Sequence, residues 1–377
     1  MMNTKKVECL LLSEPDLLDL GVLDMKQCVK TMEEVFHLYG QGDFLMPGPY
    51  ERDHGAQIQF PIEKRIYNMP VETPDRRYVA MIGYLGGRFH VCGGKYYGSN
   101  IENRTRGLPR SVLTTFLSDV DTGAPLAIMS GNLISSMRTG AIPGVATKYM
   151  QAEGASTIGI VGAGVISRSC LLSICETMNN KKQALVYDIV EANALRFCKE
   201  MSELTGIDVR PASTLEDMVR QSDVISCASS GQNPAYIKTE WLKEGACVML
   251  IGAGMLDDEF LMDPDTKLVI DSHKMHEIWL DHAIERTGNI ESAKGLYPSY
   301  QYIKLLYEGK IPRSACVELG DVVSGKVKGR ENNKHRSVFI SGGLSLEDIA
   351  WTFEMYQRAL REGKGTRFTF FEEAHWK

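Results

Sequence analysis

The sequence predicts an α/β fold, a doubly wound parallel sheet joined to a second, α+β domain. Three observations carry that expectation. From Thr157 onward, short apolar runs at 158–161, 184–187, 224–228, 247–251 and 268–271 alternate with helical stretches, the pattern of βαβ units around a parallel sheet. Before that point the strand-like runs 78–85, 89–97, 112–118 and 125–129 are joined by turns rather than helices, which predicts an antiparallel or mixed sheet. The chain also has 377 residues, more than one core comfortably serves.

Taken in order, residues 10–40 mix apolar and polar side chains at helical spacing around Ser13-Glu14-Pro15-Asp16. Within them, 25–38 reads as an amphipathic helix stopped by Gly40-Gln41-Gly42. Residues 44–77 are rich in Pro, Arg, Tyr and Asp with little periodicity, a long, partly irregular segment expected near a site or an interface. Gly86-Gly87 and Asp119-Val120-Asp121-Thr122-Gly123 supply the hairpin turns. Helices are expected over 135–151 and 192–205. The stretch 318–339 turns polar and Gly-rich, and 345–362 reads as a last amphipathic helix able to pack back on the first domain.

Composition excludes several classes. A net charge of −6 argues against nucleic-acid binding, which needs a basic face to displace counterions from phosphates. No stretch reaches the roughly 18 apolar residues of a membrane span, and the N-terminus lacks the apolar core of a secretory signal. The nine cysteines are scattered and never spaced as CxxC. Reduced thiols in a cytoplasmic protein are therefore expected, rather than disulfides or a zinc site.

The strongest local signal is Ile160-Val161-Gly162-Ala163-Gly164-Val165-Ile166-Ser167, after a strand and opening a helix. That is the context of the dinucleotide fingerprint of a Rossmann unit. Gly162 allows the tight turn, Gly164 lets backbone approach a pyrophosphate, and Ser167 is small enough for helix–strand packing. The phosphates would sit on the helix N-terminus, where N–H groups and the dipole favour anions. Asp188, ending the next strand, is placed to accept from the ribose hydroxyls, which favours NAD over its 2′-phosphorylated form. Lys95 and Arg138 read by themselves as surface cations, Arg138 at a helix start. His273-x-x-His276 reads as a solvated pair, with no carboxylate–histidine set to make it a metal site.

Outside the fingerprint, Gly94-Lys95, Asn100, Gly107-Leu108-Pro109, Asp119-x-x-Thr122-Gly123-x-Pro125-Leu126-Ala127 and Arg138-Thr139-Gly140-Ala141 form an ordered set. The tail adds Leu319-Gly320-Asp321-Val322-Val323-x-Gly325, Gly329-Arg330 and Ser341-Gly342-Gly343-Leu344-Ser345-x-Glu347-Asp348. Together these motifs resemble the ornithine cyclodeaminase/mu-crystallin family. The resemblance implies a bilobal protein. Residues 1–135 with 320–377 would form a substrate-binding and dimerisation domain, and 136–319 the NAD-binding domain. It further implies that Lys95 and Arg138 hold a substrate carboxylate in the interdomain cleft, with Arg52 a candidate third contact and Lys95 able to relay a proton. The cofactor would meet Gly162, Ala163, Gly164, Val165, Ile166, Asp188, Ser226, Thr139 and Ser341. The implied activity is NAD(H)-dependent oxidoreduction at the Cα–N bond of a small imino or amino acid, in a homodimer. The alternatives are a cyclodeaminase-type ammonia lyase and a non-catalytic nucleotide binder. Cyclodeaminases of the family carry an aspartate in the loop that here reads Gly252-Ala253-Gly254-Met255-Leu256-Asp257-Asp258. Ala253 or Gly254 stands at its place, and Asp257 or Asp258 is left as a possible substitute.

Overall fold

The computed structural model describes residues 5–73, 75–229, 233–295 and 297–376. The chain divides into two compact units, Met1–Asp24 with Asp43–Ser135 and Leu344–Lys377, and Met25–Gly42 with Ser136–Gly343.

The first unit is one sheet with a helix on it. Its strands are β1 (Val7–Leu12), β2 (Phe44–Leu45), β3 (Ala56–Gln59), β4 (Arg77–Leu85), β5 (Val91–Ser99), β6 (Ser111–Ser118), β7 (Pro125–Ser130) and the C-terminal Thr366–Phe371. They run in the order Thr366–Phe371, β1, β7, β6, β5, β4, β2, with β3 also on β4. Only β1 and β7 are parallel, so the sheet is mixed. Both hairpins form where turn residues stand, β4 to β5 and β6 to β7. The strands alternate: on β4, Val79 and Met81 are buried while Ala80 and Ile82 are exposed. The buried face lies under the helix Ser345–Glu362, whose Leu346, Ile349, Ala350 and Trp351 face inward. The helical reading of residues 10–12 is corrected. They belong to β1, held on both sides by strands, and the helix Glu14–Asp19 begins only after the Ser13 capping box.

The second unit is the doubly wound sheet. Its strands are β8 (Thr157–Val161), β9 (Gln183–Tyr187), β10 (Asp208–Pro211), β11 (Val224–Cys227), β12 (Ala235–Ile237), β13 (Cys247–Leu250), β14 (Gly254–Leu256), β15 (Lys267–Ile270), β16 (Cys316–Glu318) and β17 (Ser337–Ile340). The main sheet runs β10-β9-β8-β11-β13-β17-β15-β16, and β12 pairs with β14 apart from it. Every pairing in the main sheet is parallel. β8, β11, β13 and β17 are buried along their whole length, as expected of strands covered on both faces. The order reverses between β8 and β11, the switch point outside whose carboxyl ends ligands bind in such sheets.

The boundaries differ from expectation at two places. The polar stretch after 318 contributes β17 to the interior of the parallel sheet, and the chain leaves this unit only at Leu344. The helix Met25–Gln41 also belongs here. Met25, Cys28, Val29, Met32, Val35, Phe36 and Tyr39 make one buried stripe, and it packs against the helix Leu319–Val323. Among the described residues no helix is long and apolar enough to cross a membrane.

Candidate functional site

In the second unit the glycine turn stands at the carboxyl end of β8. Gly162 has φ +88°, a conformation that costs a side-chain-bearing residue roughly 1 kcal/mol or more. Its amide donates to the Tyr187 carbonyl at 2.8 Å, tying the turn to β9. Gly164 is the N-cap of the helix Val165–Thr177 and supplies no side-chain cap. The first amides of that helix, including those of Val165 and Ile166, have no intrahelical acceptor, and Gly164 and Val165 are exposed. Such an end fits an anionic diphosphate. Ser167, fully buried, is the small residue that helix–strand contact requires.

Asp188 is at the expected place and has a second task. Its Oδ2 accepts from the Ala163 amide at 2.7 Å and its Oδ1 from the Val190 amide at 2.8 Å, so the carboxylate braces the glycine turn. Arg168 braces it from the helix, donating to the Ala163 and Gly164 carbonyls while pairing with Glu200. Ser226 sits in the strand expected of it, but its burial does not suit the cofactor contact. It lies inside β11, 1% exposed, with its hydroxyl beside the Cys170 thiol. The residue against the turn is Ser229. Its Cα lies 3.2 Å from where a Gly162 Cβ would stand, and its hydroxyl donates to the Ala253 carbonyl at 2.8 Å. Sequence reasoning missed Ser229, although its position just beyond the end of β11, the strand beside the fingerprint strand, was a usable signal.

Arg138 is not at a helix start but inside the helix Asn132–Met150. That helix crosses Val165–Thr177 closely: side chains on Gly140 and Gly144 would collide with Ser169 and Ser173. Thr139, one residue before that crossing, is half-buried. Arg138 is 5% exposed, and its guanidinium lies against Gly343, where a side chain would collide with Nη1. Ser341 donates its hydroxyl to Asp271 at 3.0 Å. His273 and His276 are both buried, correcting the solvated reading. His273 Nε2 is 2.8 Å from the Cys316 carbonyl and His276 Nε2 2.8 Å from Asp271 Oδ1. Burial pushes the His273 imidazole below its usual range.

In the first unit Lys95 shares the buried face of β5 with its neighbours Met81 on β4 and Thr115 on β6. It is 3% exposed, so it is no surface cation. Its Nζ lies 2.9 Å from Asp348 Oδ2 and donates to the Ser135 hydroxyl at 3.2 Å. Asp348, on the first turn of Ser345–Glu362, is fully buried. It stands in the tail motif, but sequence reasoning did not pair it with Lys95. Removing one partner of a buried pair leaves the other uncompensated, at about 3–5 kcal/mol. Asp348→Ala is therefore expected to lower thermal stability by that order, and Lys95→Met in the same chain to recover part of it. Denaturation of the two variants checks both. Arg52 donates to the Glu51 carbonyl at 2.9 Å and stacks 4.3 Å over the Phe44 ring.

Neither carboxylate left as a substitute for the cyclodeaminase aspartate is idle. Asp257 accepts from Tyr236 at 2.5 Å and from the Thr239 amide at 2.6 Å, while Asp258 accepts from Gln301 at 2.6 Å. Those bonds, with Lys238 nearby, outweigh burial and hold Asp257 below the usual carboxylate range. Among the described residues no group of His, Cys, Asp or Glu is arranged to hold a metal ion.

Comparison with known proteins agrees with this architecture. Over 369 residues the chain is 27% identical to the N-((2S)-2-amino-2-carboxyethyl)-L-glutamate dehydrogenase of Staphylococcus aureus, covering 97% of this chain and 99% of that protein. The Δ1-pyrroline-2-carboxylate reductase of Thermococcus litoralis, solved with NADH and L-proline, has a TM-score of 0.77 and 32% identity over 95% of this chain and 99% of that one. An archaeal alanine dehydrogenase dimer with bound NAD has a TM-score of 0.77 and 25% identity, covering 97% and 100%. Residues 22–363 match a single family along nearly the whole chain. The chain belongs to the ornithine cyclodeaminase/mu-crystallin family.

Proposed function

We propose that this protein is an NAD(H)-dependent oxidoreductase acting at the Cα–N bond of a small imino or amino acid. The observation that carries the reading is the uncapped helix N-terminus behind Gly162, with Asp188 at the end of the neighbouring strand. Similarity to a reductase solved with NADH and L-proline supports the chemistry. When bound, NADH supplies the hydride and the protein supplies position and charge. Lys95 and Arg138 would each grip the substrate carboxylate, through charge-assisted bonds worth roughly 1.5–3 kcal/mol. Lys95 would also hold the proton that the nitrogen takes as the C=N bond is reduced. Thr139 and the 341–343 loop would border the cofactor, and two copies of the chain would form a dimer.

The lyase reading is disfavoured, because Ala253 and Gly254 carry no carboxylate and Asp257 and Asp258 are bonded elsewhere. Following the nicotinamide absorbance with cyclic imino acids, and with 2-oxo acids plus ammonia, tests the proposal. Ammonia release from a diamino acid without net absorbance change would establish the lyase instead.

Cofactor preference follows from Asp188. A 2′-phosphate beside its carboxylate meets a like charge, and two such charges 4 Å apart repel by about 1 kcal/mol even in water. NAD is expected to bind more tightly than NADP by about fivefold or more. Asp188→Ser should narrow the gap, and comparable affinities in the wild type by fluorescence titration would refute the assignment.

A further inference from the structure

Asp271 follows directly on β15, with its carboxylate entirely buried. Five donors converge on it. Oδ1 accepts from the Ser272 amide at 2.7 Å and faces His276 Nε2 at 2.8 Å. Oδ2 accepts from the Ser341 hydroxyl at 3.0 Å and from the amides of Gly342 and Gly343 at 2.7 and 2.9 Å. A buried carboxylate is tolerated only when its lone pairs are met this fully. Burial pushes its pKa up, but His276 and the two glycine amides overrule that and hold it below the usual range.

The group so held is the loop that follows β17 at the carboxyl edge of the sheet. One side of it is closed: a side chain on Gly342 would come within 2.6 Å of Trp279 and 2.8 Å of His276. The other side is the wall against which the Arg138 guanidinium lies, at Gly343, whose φ of +84° few other residues adopt. Three amino acids in a row thus have their backbone or hydroxyl fixed by one carboxylate, and their outer face sets where Arg138 can be.

We propose that Asp271, backed by His276, is a positioning residue for the reaction: it fixes the Ser341-Gly342-Gly343 loop as the template that aims Arg138 at the substrate carboxylate. The inference rests on the reading of Arg138 given above. Nothing in it requires Asp271 to touch substrate or cofactor. It gives the buried His276 a task that the cofactor site leaves open.

The test is a double-mutant cycle on the full-length enzyme, with an active substrate found as described above. Asn at 271 keeps the shape but turns an NH2 toward donors on one side or the other. Asp271→Asn is expected to raise KM for the acid substrate about tenfold, while NADH affinity, which the same loop borders, falls clearly less than that. Arg138→Ala added to it should then cost clearly less than in the wild type, because the two act through one contact. Gly343→Ala, which leaves Asp271 intact and crowds Arg138 directly, should raise KM in the same way. Should Asp271→Asn not fold, Ser341→Ala removes a single loop bond and should give about a threefold rise in KM. Lowered thermal stability with unchanged KM in these variants overturns the inference, as do Asp271→Asn and Arg138→Ala effects that multiply in full. An unchanged KM in Arg138→Ala alone overturns the carboxylate reading itself, and the inference with it.

Discussion

Lys95→Ala and Arg138→Ala are each expected to weaken binding of the acid substrate roughly tenfold or more, from a loss of about 1.5–3 kcal/mol per charge-assisted bond. NADH affinity should hardly change, because in the proposed mode the diphosphate and ribose would be anchored at the glycine turn and Asp188. The double variant should fall short of the product of the single losses if both cations share one carboxylate. Lys95→Arg should not rescue. A planar guanidinium does not replace a compact ammonium on a 3% exposed position already paired to Asp348. Since Lys95→Ala also strands the Asp348 charge, assays belong well below its melting temperature, with retained NADH binding as the sign of a folded chain. Wild-type turnover and apparent affinity in Lys95→Ala would remove the lysine from the reaction.

Gly164→Val is expected to abolish cofactor binding and leave the protein folded. No atom lies within 4 Å of where a Gly164 Cβ would stand, and its φ of −87° suits any residue. The fold has no need of glycine there. What requires it is the space over the helix N-terminus, which a branched side chain would fill where a diphosphate must approach backbone. Calorimetric titration with NADH, beside far-ultraviolet circular dichroism, separates the two effects. Retained NADH affinity would dismiss the fingerprint, and a collapsed spectrum would show that the glycine is structural after all.

The fingerprint could be read because every part of it is contiguous. A strand, a turn that needs φ near +90°, and a helix with a small third residue follow one another from Thr157 to Ser167. The helix–strand alternation behind it was equally legible, as were the two hairpins of the first unit. The shortest strands were not. β16 and β17 carry three and four residues, and β17 lies in a stretch whose composition resembles a loop. Its place in the sheet comes from neighbours Cys247–Leu250 and Lys267–Ile270. Residues 10–12 were misread for a similar reason, since an apolar run shorter than two helical turns fits either period.

By itself, then, the sequence determined the class of fold, the glycine turn between β8 and its helix, and, through ordered motifs, the family. The first two rest on residues close together in the chain, where periodicity and turn chemistry act without help from the rest, and the third on the order of short motifs along it. The tertiary structure alone decided how the buried charges are compensated. It set Asp348 against Lys95 across 253 positions of chain, gathered five donors on Asp271 and put Ser229 beside the turn. A charge taken out of water must find a partner, and which one it finds depends on the packing of the whole unit. Spacing along the chain carries no record of that choice.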